Sequence, residues 1–116
     1  MVRLGPDCWI KTSSEFEPDS ADRLGVVVTQ QGYSDWSTQD LPAGTRELSF
    51  RIARTGTDFI MSARFLAGDW TQLRMVHVDC APADLIRAGP YACSPKGAGF
   101  RCVFTRLSVE GGAPPG

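Results

Sequence analysis

The feature that most constrains the fold is an alternation of apolar and polar residues with a period of two, which recurs while helical periodicity is almost absent. Such alternation is typical of strands, because successive side chains of a strand point to opposite faces. Clusters of Gly, Pro, Asp and Ser interrupt the alternation, as turn residues do. The predicted strands span residues 8–16, 24–30, 47–54, 59–65, 70–78, 89–93 and 100–109.

Short strands joined by turn-rich loops predict an all-β protein with an antiparallel β-sandwich. The pattern leaves immunoglobulin-like, jelly-roll and lipocalin-like arrangements open. Residues 31–44 are predicted to form a loop, residues 55–58 a hairpin turn, and residues 81–87 the one helical turn. The length suits a single domain over 1–109, and the Gly- and Pro-rich residues 110–116 predict a disordered tail.

Composition excludes several classes of function. Twelve basic residues stand against thirteen acidic ones, so the net charge of -1 argues against a nucleic-acid partner. No apolar run is long enough to span a membrane. The first ten residues lack the apolar core of a signal peptide. We therefore expect a cytoplasmic protein with no nucleic-acid or membrane partner.

The four cysteines give no metal-binding pattern. They lie at irregular spacings and include no Cys-x-x-Cys pair, and His77 is the single histidine. A zinc site would have to combine His77 with Cys80, Cys93 and Cys102 on predicted strands, which is not how zinc ligands are usually spaced. The sequence therefore predicts no metal and no cofactor. In a protein that is not exported, the cysteines are expected to be reduced and mostly buried.

Residues 15–19 superficially resemble the spaced carboxylates of glycoside hydrolases, because Glu15, Glu17 and Asp19 would share one face of a strand. Pro18 cannot donate to a sheet ladder and is predicted to start a turn, which makes Glu17 and Asp19 solvated loop charges. His77 cannot complete a Ser-His-Asp set and is predicted to be a core or edge residue. Catalysis is therefore not favoured.

A face that combines aromatic and charged residues is the better candidate site. Trp9, Lys11 and Glu15 share one side of their strand with Ser13, and Trp70 and Arg74 share one side of theirs. If these sides coincide with the loop that carries Asp35 and Trp36, indole rings would flank hydrogen-bonding charges, as in sugar sites. With Arg54, the candidate ligand-binding residues are Trp9, Lys11, Glu15, Asp35, Trp36, Arg54, Trp70 and Arg74.

The same residues also have a purely structural interpretation. The three tryptophans could be core or covering residues, with Lys11–Glu15 and Arg74–Asp35 as structural ion pairs. Asp35 could also cap its own turn through its side-chain oxygens. Both alternatives need no ligand.

Arg54 carries a separate prediction. It has the parity of the apolar residues Leu48, Phe50 and Ile52, so it should point inward. An inward guanidinium must be paired, because an unpaired buried charge is costly. Asp35 and Glu15 are the expected partners of Arg54. We predict at least one Arg–carboxylate contact, with both groups largely buried, within a set of five charged residues: Arg54, Arg74, Lys11, Glu15 and Asp35.

Several sequence elements, taken in order, resemble one known family. These elements are Trp9-Ile10-Lys11, Val27-Val28-Thr29, Ser34-Asp35-Trp36-Ser37, Arg51, Arg54, Trp70, Arg74, Gly89-Pro90-Tyr91-Ala92-Cys93-Ser94-Pro95 and Phe104. Their order is similar to that of the DUF1349 family, also labelled regulation of enolase protein. The resemblance implies the concanavalin A-like lectin/glucanase fold, a jelly roll.

The resemblance also implies that this chain corresponds to the C-terminal part of a longer domain. Strands that precede the Trp-Ile-Lys element in the family would be lacking, so the sandwich is expected to be incomplete on its N-terminal side. Unpaired edges and exposed apolar surface would follow, and a homodimer through such edges is one way to cover them.

Two functions remain in view. The first is a non-catalytic, lectin-like module with a carbohydrate partner. The second, implied by the enolase label, is an intracellular regulatory module with a protein partner. A groove with upright tryptophans would favour the first, and an exposed edge or apolar patch would favour the second.

Overall fold

A computed structural model describes residues 1–80 and 86–111 of the chain. Within these residues the protein is all-β and contains no helix. Its eight strands are β1 Val2–Gly5, β2 Cys8–Glu15, β3 Arg23–Gln30, β4 Tyr33–Asp40, β5 Leu48–Thr55, β6 Asp58–Phe65, β7 Thr71–His77 and β8 Arg87–Ala88.

The strands form two antiparallel sheets, which confirms the predicted β-sandwich. One sheet has five strands in the order β4-β3-β2-β1-β8, and the other has three in the order β5-β6-β7. The connections within each sheet are mostly hairpins. The turn between β5 and β6 places Gly56 at a φ of 61°, which only glycine adopts readily in such a two-residue loop.

The core lies between the two sheets. Ile10, Val26 and Val28 of the five-stranded sheet pack with Phe59 and Met61 of the three-stranded sheet. Because opposite residues of an antiparallel pair share a face, these residues define the inner face of each sheet.

A second, smaller cluster lies beside the first. It joins Leu24 and Leu41 to Ala63, and Leu73 packs against both clusters. The core therefore extends along the sandwich towards β4 and β7.

Alternation predicted the five long apolar strands to within about two residues, but it missed β1, β4 and the two-residue β8. The predicted loop over 31–44 is wrong for Tyr33–Asp40, which form β4. All eight residues of β4 are exposed, so no apolar alternation marked the strand. Strand β1 was missed because four residues are too few to show a period.

The C-terminal predictions were wrong. Residues 89–93 and 100–109 form no strand, and the nearest paired element is the two-residue β8. A strand needs a neighbouring edge to pair with, and these residues pair with no strand of the described chain. The predicted helical turn over 81–87 falls mostly outside the described residues. So does most of the predicted tail, since residues 112–116 lie outside them.

A bulge in β7 changes which of its residues face the core. Met61 pairs with Arg74 while the next residue, Ser62, pairs with Gln72, so Leu73 is the extra residue. Arg74 and Val76 therefore lie on the inner face, and the prediction that Trp70 and Arg74 share one side is wrong. Met75 and His77 are exposed.

The prediction of reduced, buried cysteines was also wrong. Cys8 and Cys80 form a disulfide across a sequence separation of 72 residues, with their Cα atoms 6.5 Å apart. The bridge ties the start of β2 to the segment that follows β7, and hence one sheet to the other. Cys93 and Cys102 are free thiols but are exposed.

Candidate functional site: the outer face of the five-stranded sheet

The structure divides the eight predicted site residues among four places. Four of them share the outer face of the five-stranded sheet: Trp9, Lys11, Glu15 and Trp36. Asp35 and Arg74 lie on inner faces, and Arg54 lies at the end of β5. Trp70 belongs to the outer side of the three-stranded sheet, next to Arg51 and Arg64. The predicted single face therefore exists only for the first group, which we call the Trp36 face.

Trp36 is the most exposed tryptophan on this face. Its backbone lies opposite Val27 on the edge strand β4, and its side chain is 62% exposed. A Cβ built on Gly25 would meet Trp36 Nε1 at 3.2 Å and Ser13 Oγ at 3.6 Å. The indole therefore reaches over Gly25, across β3 and towards β2. Gly25 makes room for the ring to approach the sheet closely while much of it stays open to solvent.

Polar groups on β2 lie beside this ring. The hydroxyl of Ser13 donates to Glu15 Oε1 at 3.2 Å, and Lys11 Nζ lies 3.8 Å from the same oxygen. Lys11 and Glu15 are each partly buried. Lys11 shares its row across the sheet with Val27 and Trp36. The predicted Lys11–Glu15 contact is confirmed, and it places a cation and a carboxylate next to an open indole.

The last row of paired residues on this face carries alternating charges. Glu15 lies opposite Arg23, which lies opposite Asp40, and Arg23 pairs with Asp40 through its guanidinium. This row forms the end of the Trp36 face that lies nearest the β2–β3 turn. The prediction that the strand ends before Pro18 is confirmed, since β2 ends at Glu15.

Trp9 lies at the other end of the face. Its row runs from Arg3 of β1 through Thr29 to Ser34 of β4. The hydroxyls of Thr29 and Ser34 are hydrogen-bonded at 2.7 Å. Trp9 is only partly exposed, so it offers less open ring surface than Trp36.

Asp35 lies on the other side of β4. It faces inward at the edge of the sandwich, where its Oδ2 lies 3.9 Å from Nη2 of Arg74 on β7. The predicted Arg74–Asp35 pair therefore exists, and it links the two sheets rather than contributing to the Trp36 face. The side chain of Asp35 is 83% exposed, so the pair is not buried as predicted. Because Asp35 lies within a paired strand, the interpretation of Asp35 as a turn cap is wrong.

Trp70 sits among cations on the three-stranded sheet. The guanidinium carbons of Arg51 and Arg64 lie 4.4 Å and 4.8 Å from the centroid of its ring. The Nε of Arg64 is buried without a hydrogen-bond partner. The indole π system is therefore already engaged by two cation–π contacts.

The Arg54 prediction was wrong. Arg54 does lie opposite Phe59, so its parity is inward, and its guanidinium lies 5.7 Å from the ring centroid of Phe59. However, Arg54 is exposed, its Nε donates to the carbonyl of Gly56 at 2.7 Å, and no carboxylate of residues 1–80 or 86–111 pairs with it. The end of β5 opens to solvent, so the long side chain reaches water instead of a buried partner.

His77 is the edge residue that the sequence allowed. It is exposed on β7, and its Nδ1 lies 3.1 Å from both Asp58 Oδ1 and Thr57 Oγ1. Across the residues that the structure describes, no three His, Cys, Asp or Glu side chains converge as metal ligands would. No helix in those residues is long and apolar enough to cross a membrane.

Sequence reasoning missed Gly25 as a site residue and did not foresee the role of Arg51 and Arg64. The arginines lie on strands that were predicted, but which side chain meets Trp70 depends on strand register, which alternation does not fix. Gly25 carried a usable signal, because a glycine inside an apolar strand often marks close approach of another group.

A family model described as a protein of unknown function, DUF1349, matches residues 1–111. No curated protein and no solved structure matches the chain.

Proposed function

The chain belongs to the DUF1349 family, and we propose that it is a non-catalytic, lectin-like module that binds a saccharide on the Trp36 face. The observation that carries the proposal is the placement of Trp36, which lies over Gly25 with 62% of its side chain exposed. Such a platform suits the apolar face of a pyranose ring, which packs on exposed indole rings.

Hydrogen-bonding groups lie where the hydroxyls of a stacked sugar would need them. Ser13, Lys11 and Glu15 border the ring on the β2 side. Charged groups make stronger hydrogen bonds to hydroxyls than neutral groups do. Lys11 can donate and Glu15 can accept, so the pair can bind neighbouring hydroxyls of one sugar. This supports orientation of the ligand as well as affinity.

The carboxylates on this face suit binding better than hydrolysis. A glycosidase places two carboxyl groups about 5 to 9.5 Å apart with the glycosidic bond between them. Here Arg23 stands between Glu15 and Asp40 and pairs with Asp40. A guanidinium therefore occupies the place that a scissile bond would need.

The test is a glycan array followed by calorimetric titration of any saccharide that binds. Trp36→Ala should weaken binding at least about tenfold, because stacking on one indole contributes roughly 1–2 kcal/mol. Tyr33→Ala is the matched control. Tyr33 is an exposed aromatic residue of the same strand, and its parity places it on the opposite face. A silent array would contradict the proposal, and so would equal losses in the two variants.

A second function is supported by a different observation. A run of exposed apolar side chains follows Pro95. These residues are Phe100, Val103, Phe104, Leu107 and Val109. Exposed apolar clusters mark interaction surfaces. They favour a cytoplasmic regulatory or protein-interaction module of the kind that the enolase label implies.

The two functions can be separated by experiment. A silent array, together with a protein captured from extract by the parent and not by Phe104→Asp, would favour the interaction module. The redox state of Cys8 and Cys80 in cells is a further measurement that tests the cytoplasmic location. A cytoplasmic protein is expected to keep Cys8 and Cys80 reduced, whereas an oxidising compartment would form their bridge.

A further inference from the structure

Strand β4 is an open edge of the five-stranded sheet. It pairs with β3 on one side, and no described residue pairs with it on the other. Its eight residues, Tyr33–Asp40, are all exposed and include no proline, lysine or bulge. Natural proteins usually protect a long edge of this kind, since its free N–H and C=O groups are a template for another strand.

The segment 100–109 has the sequence pattern of a strand but lacks a paired neighbour among the residues that the structure describes. Its sequence alternates as a strand does, yet the structure pairs it with nothing in the described chain. Its larger apolar side chains are between 54% and 77% exposed, which is far more than a monomer usually tolerates in one stretch. A free edge and an unpaired strand sequence therefore occur in one molecule.

Charges specify how the two could pair. Asp35 and Asp40 are five residues apart on β4, and Arg101 and Arg106 are five residues apart on the segment. An antiparallel pairing can set Arg101 opposite Asp40 and Arg106 opposite Asp35. Both contacts form in the same register because the spacing is five residues in both segments. Since five is odd, one contact lies on the inner face of the sheet and the other on the outer face. The two carboxylate side chains are 65% and 83% exposed and remain accessible.

The same register fits the apolar residues. Phe100 would lie opposite Leu41, which is buried in the smaller core cluster, and Phe104 would lie opposite Ser37. Both phenylalanines would point to the inner face. Ser37 borders a cavity of about 60 Å³. Three apolar residues of the core share its lining: Leu24, Val26 and Leu73. Phe104 would cover this cavity, so the register that pairs the charges also places both phenylalanines on the core side.

We propose that segment 100–109 of one molecule adds as an antiparallel strand to the β4 edge of a second copy, and reciprocally, to form a two-fold dimer. Within one chain the segment follows β8, at the opposite edge of the same sheet. Four strand spacings, about 19 Å, separate those edges. For the segment to pair with β4 of its own chain, residues 89–99 would have to cross one face of the sheet. The inner face is filled by the core, and a chain crossing the outer face would run past Trp36, which is exposed.

The dimer is compatible with the proposed saccharide site but does not depend on it. In this register Thr105 lies opposite Trp36 at the edge, whereas the indole extends the other way, over Gly25. Loss of the dimer would therefore leave the Trp36 platform intact.

Disulfide trapping tests the register directly, using the native thiol of Cys102. In a Cys93→Ser background, Gln39→Cys places a thiol opposite Cys102, and mild oxidation should give a covalent dimer on a non-reducing gel. Thr38→Cys is the matched control, because its side chain points to the other face. A covalently closed monomer would overturn the proposal in favour of docking within one chain. Equal trapping from both positions would overturn the register.

Charge exchange tests the same interface without new thiols. Arg101→Glu with Arg106→Glu should raise the dimer dissociation constant about eightyfold, since four like-charge contacts each weaken pairing about threefold. Asp35→Lys with Asp40→Lys should do the same. A mixture of these two variants should dimerise again, because each segment then meets an edge of opposite charge.

A matched double variant, Arg46→Glu with Lys96→Glu, makes the same change in net charge at exposed positions outside the interface. Analytical ultracentrifugation should show the same dimer dissociation constant for this variant as for the parent. Parent protein that stays monomeric at every concentration would overturn the proposal, and so would a mixture that fails to recover although both variants keep the circular dichroism of the parent.

Discussion

Trp36 and Trp70 lie on the outer sides of different sheets, Trp36 within the edge strand β4 and Trp70 just before β7, and their surroundings differ. Beneath Trp36 lies Gly25, which gives the indole room to lie close to the sheet while it stays 62% exposed. Around Trp70 lie Arg51 and Arg64, whose guanidinium carbons approach the ring to within 5 Å. The first ring is open, and the second is largely covered.

The difference shows that a neighbour, and not the tryptophan itself, decides what the ring can do. A guanidinium and a sugar compete for the same π surface. A ring that already holds two cations contributes to stability, whereas a ring above a glycine can accept a ligand. Substitutions in each sheet can test whether Trp70 is a structural ring and Trp36 an open one.

The largest expected effect concerns the connection between the sheets. Cys8→Ala with Cys80→Ala removes a bridge that closes a loop of 72 residues, and the free energy of unfolding should fall by about 4 kcal/mol. Urea denaturation measures it. Cys93→Ser with Cys102→Ser is the control and should change little, because both thiols are free and exposed. A loss below about 1 kcal/mol would show that core packing alone fixes one sheet on the other.

How much of the fold could be predicted depends on whether a strand buries one face. Alternating apolar residues revealed β2, β3, β5, β6 and β7, because each contributes to the core. Strand β4 left no such signal, since neither of its faces is buried. The segment 100–109 gave the signal without the strand, because a pattern specifies a preference and pairing requires a partner edge.

The candidate site was predictable within one strand and not beyond it. Trp9, Lys11 and Glu15 were assigned to one face by parity alone, and the structure places them there. Arg74 was misplaced because the bulge at Leu73 reverses the parity of β7. Which sheet a strand joins, and hence whether Trp70 could meet Trp36, follows from long-range pairing that no local pattern contains.

Substituting each tryptophan separately tests the comparison in terms of stability. Trp70→Ala should lower the free energy of unfolding by about 3 kcal/mol, because it removes packed area and two cation–π contacts. Trp36→Ala should cost about 1 kcal/mol, since most of that ring is already in water. Chemical denaturation of both variants measures the difference. Equal losses, or a larger loss for Trp36→Ala, would remove the distinction between a structural and an open ring.

Gly25→Ala tests the platform without touching a ligand contact. The added methyl would lie 3.2 Å from Trp36 Nε1, so the indole must tilt, and saccharide affinity should fall about fivefold. In a ¹H–¹⁵N spectrum the indole N–H signal of Trp36 should shift while that of Trp70 stays in place. Gly5→Ala is the control, because a Cβ there meets nothing within 4 Å. An unmoved Trp36 signal would show that the ring does not rest on Gly25.

The smallest expected effect concerns Arg54, which lies between the two kinds of environment. Its guanidinium lies 5.7 Å from the ring centroid of Phe59, as the arginines lie over Trp70, but it is exposed and has no carboxylate partner within the described part of the chain. An exposed cation–π contact contributes about 0.5 kcal/mol, so Arg54→Ala should cost about that much rather than the several kcal/mol of a buried ion pair. Arg54→Lys should be nearly neutral, because no bidentate contact is lost. Arg74→Ala is the matched comparison. Arg74 is less exposed and pairs with Asp35, so we expect a loss of about 1 kcal/mol. Thermal denaturation of the three variants ranks these effects. If Arg54→Ala proved the most damaging, the guanidinium would have to be held by a buried partner, and the open end of β5 would have to close around it.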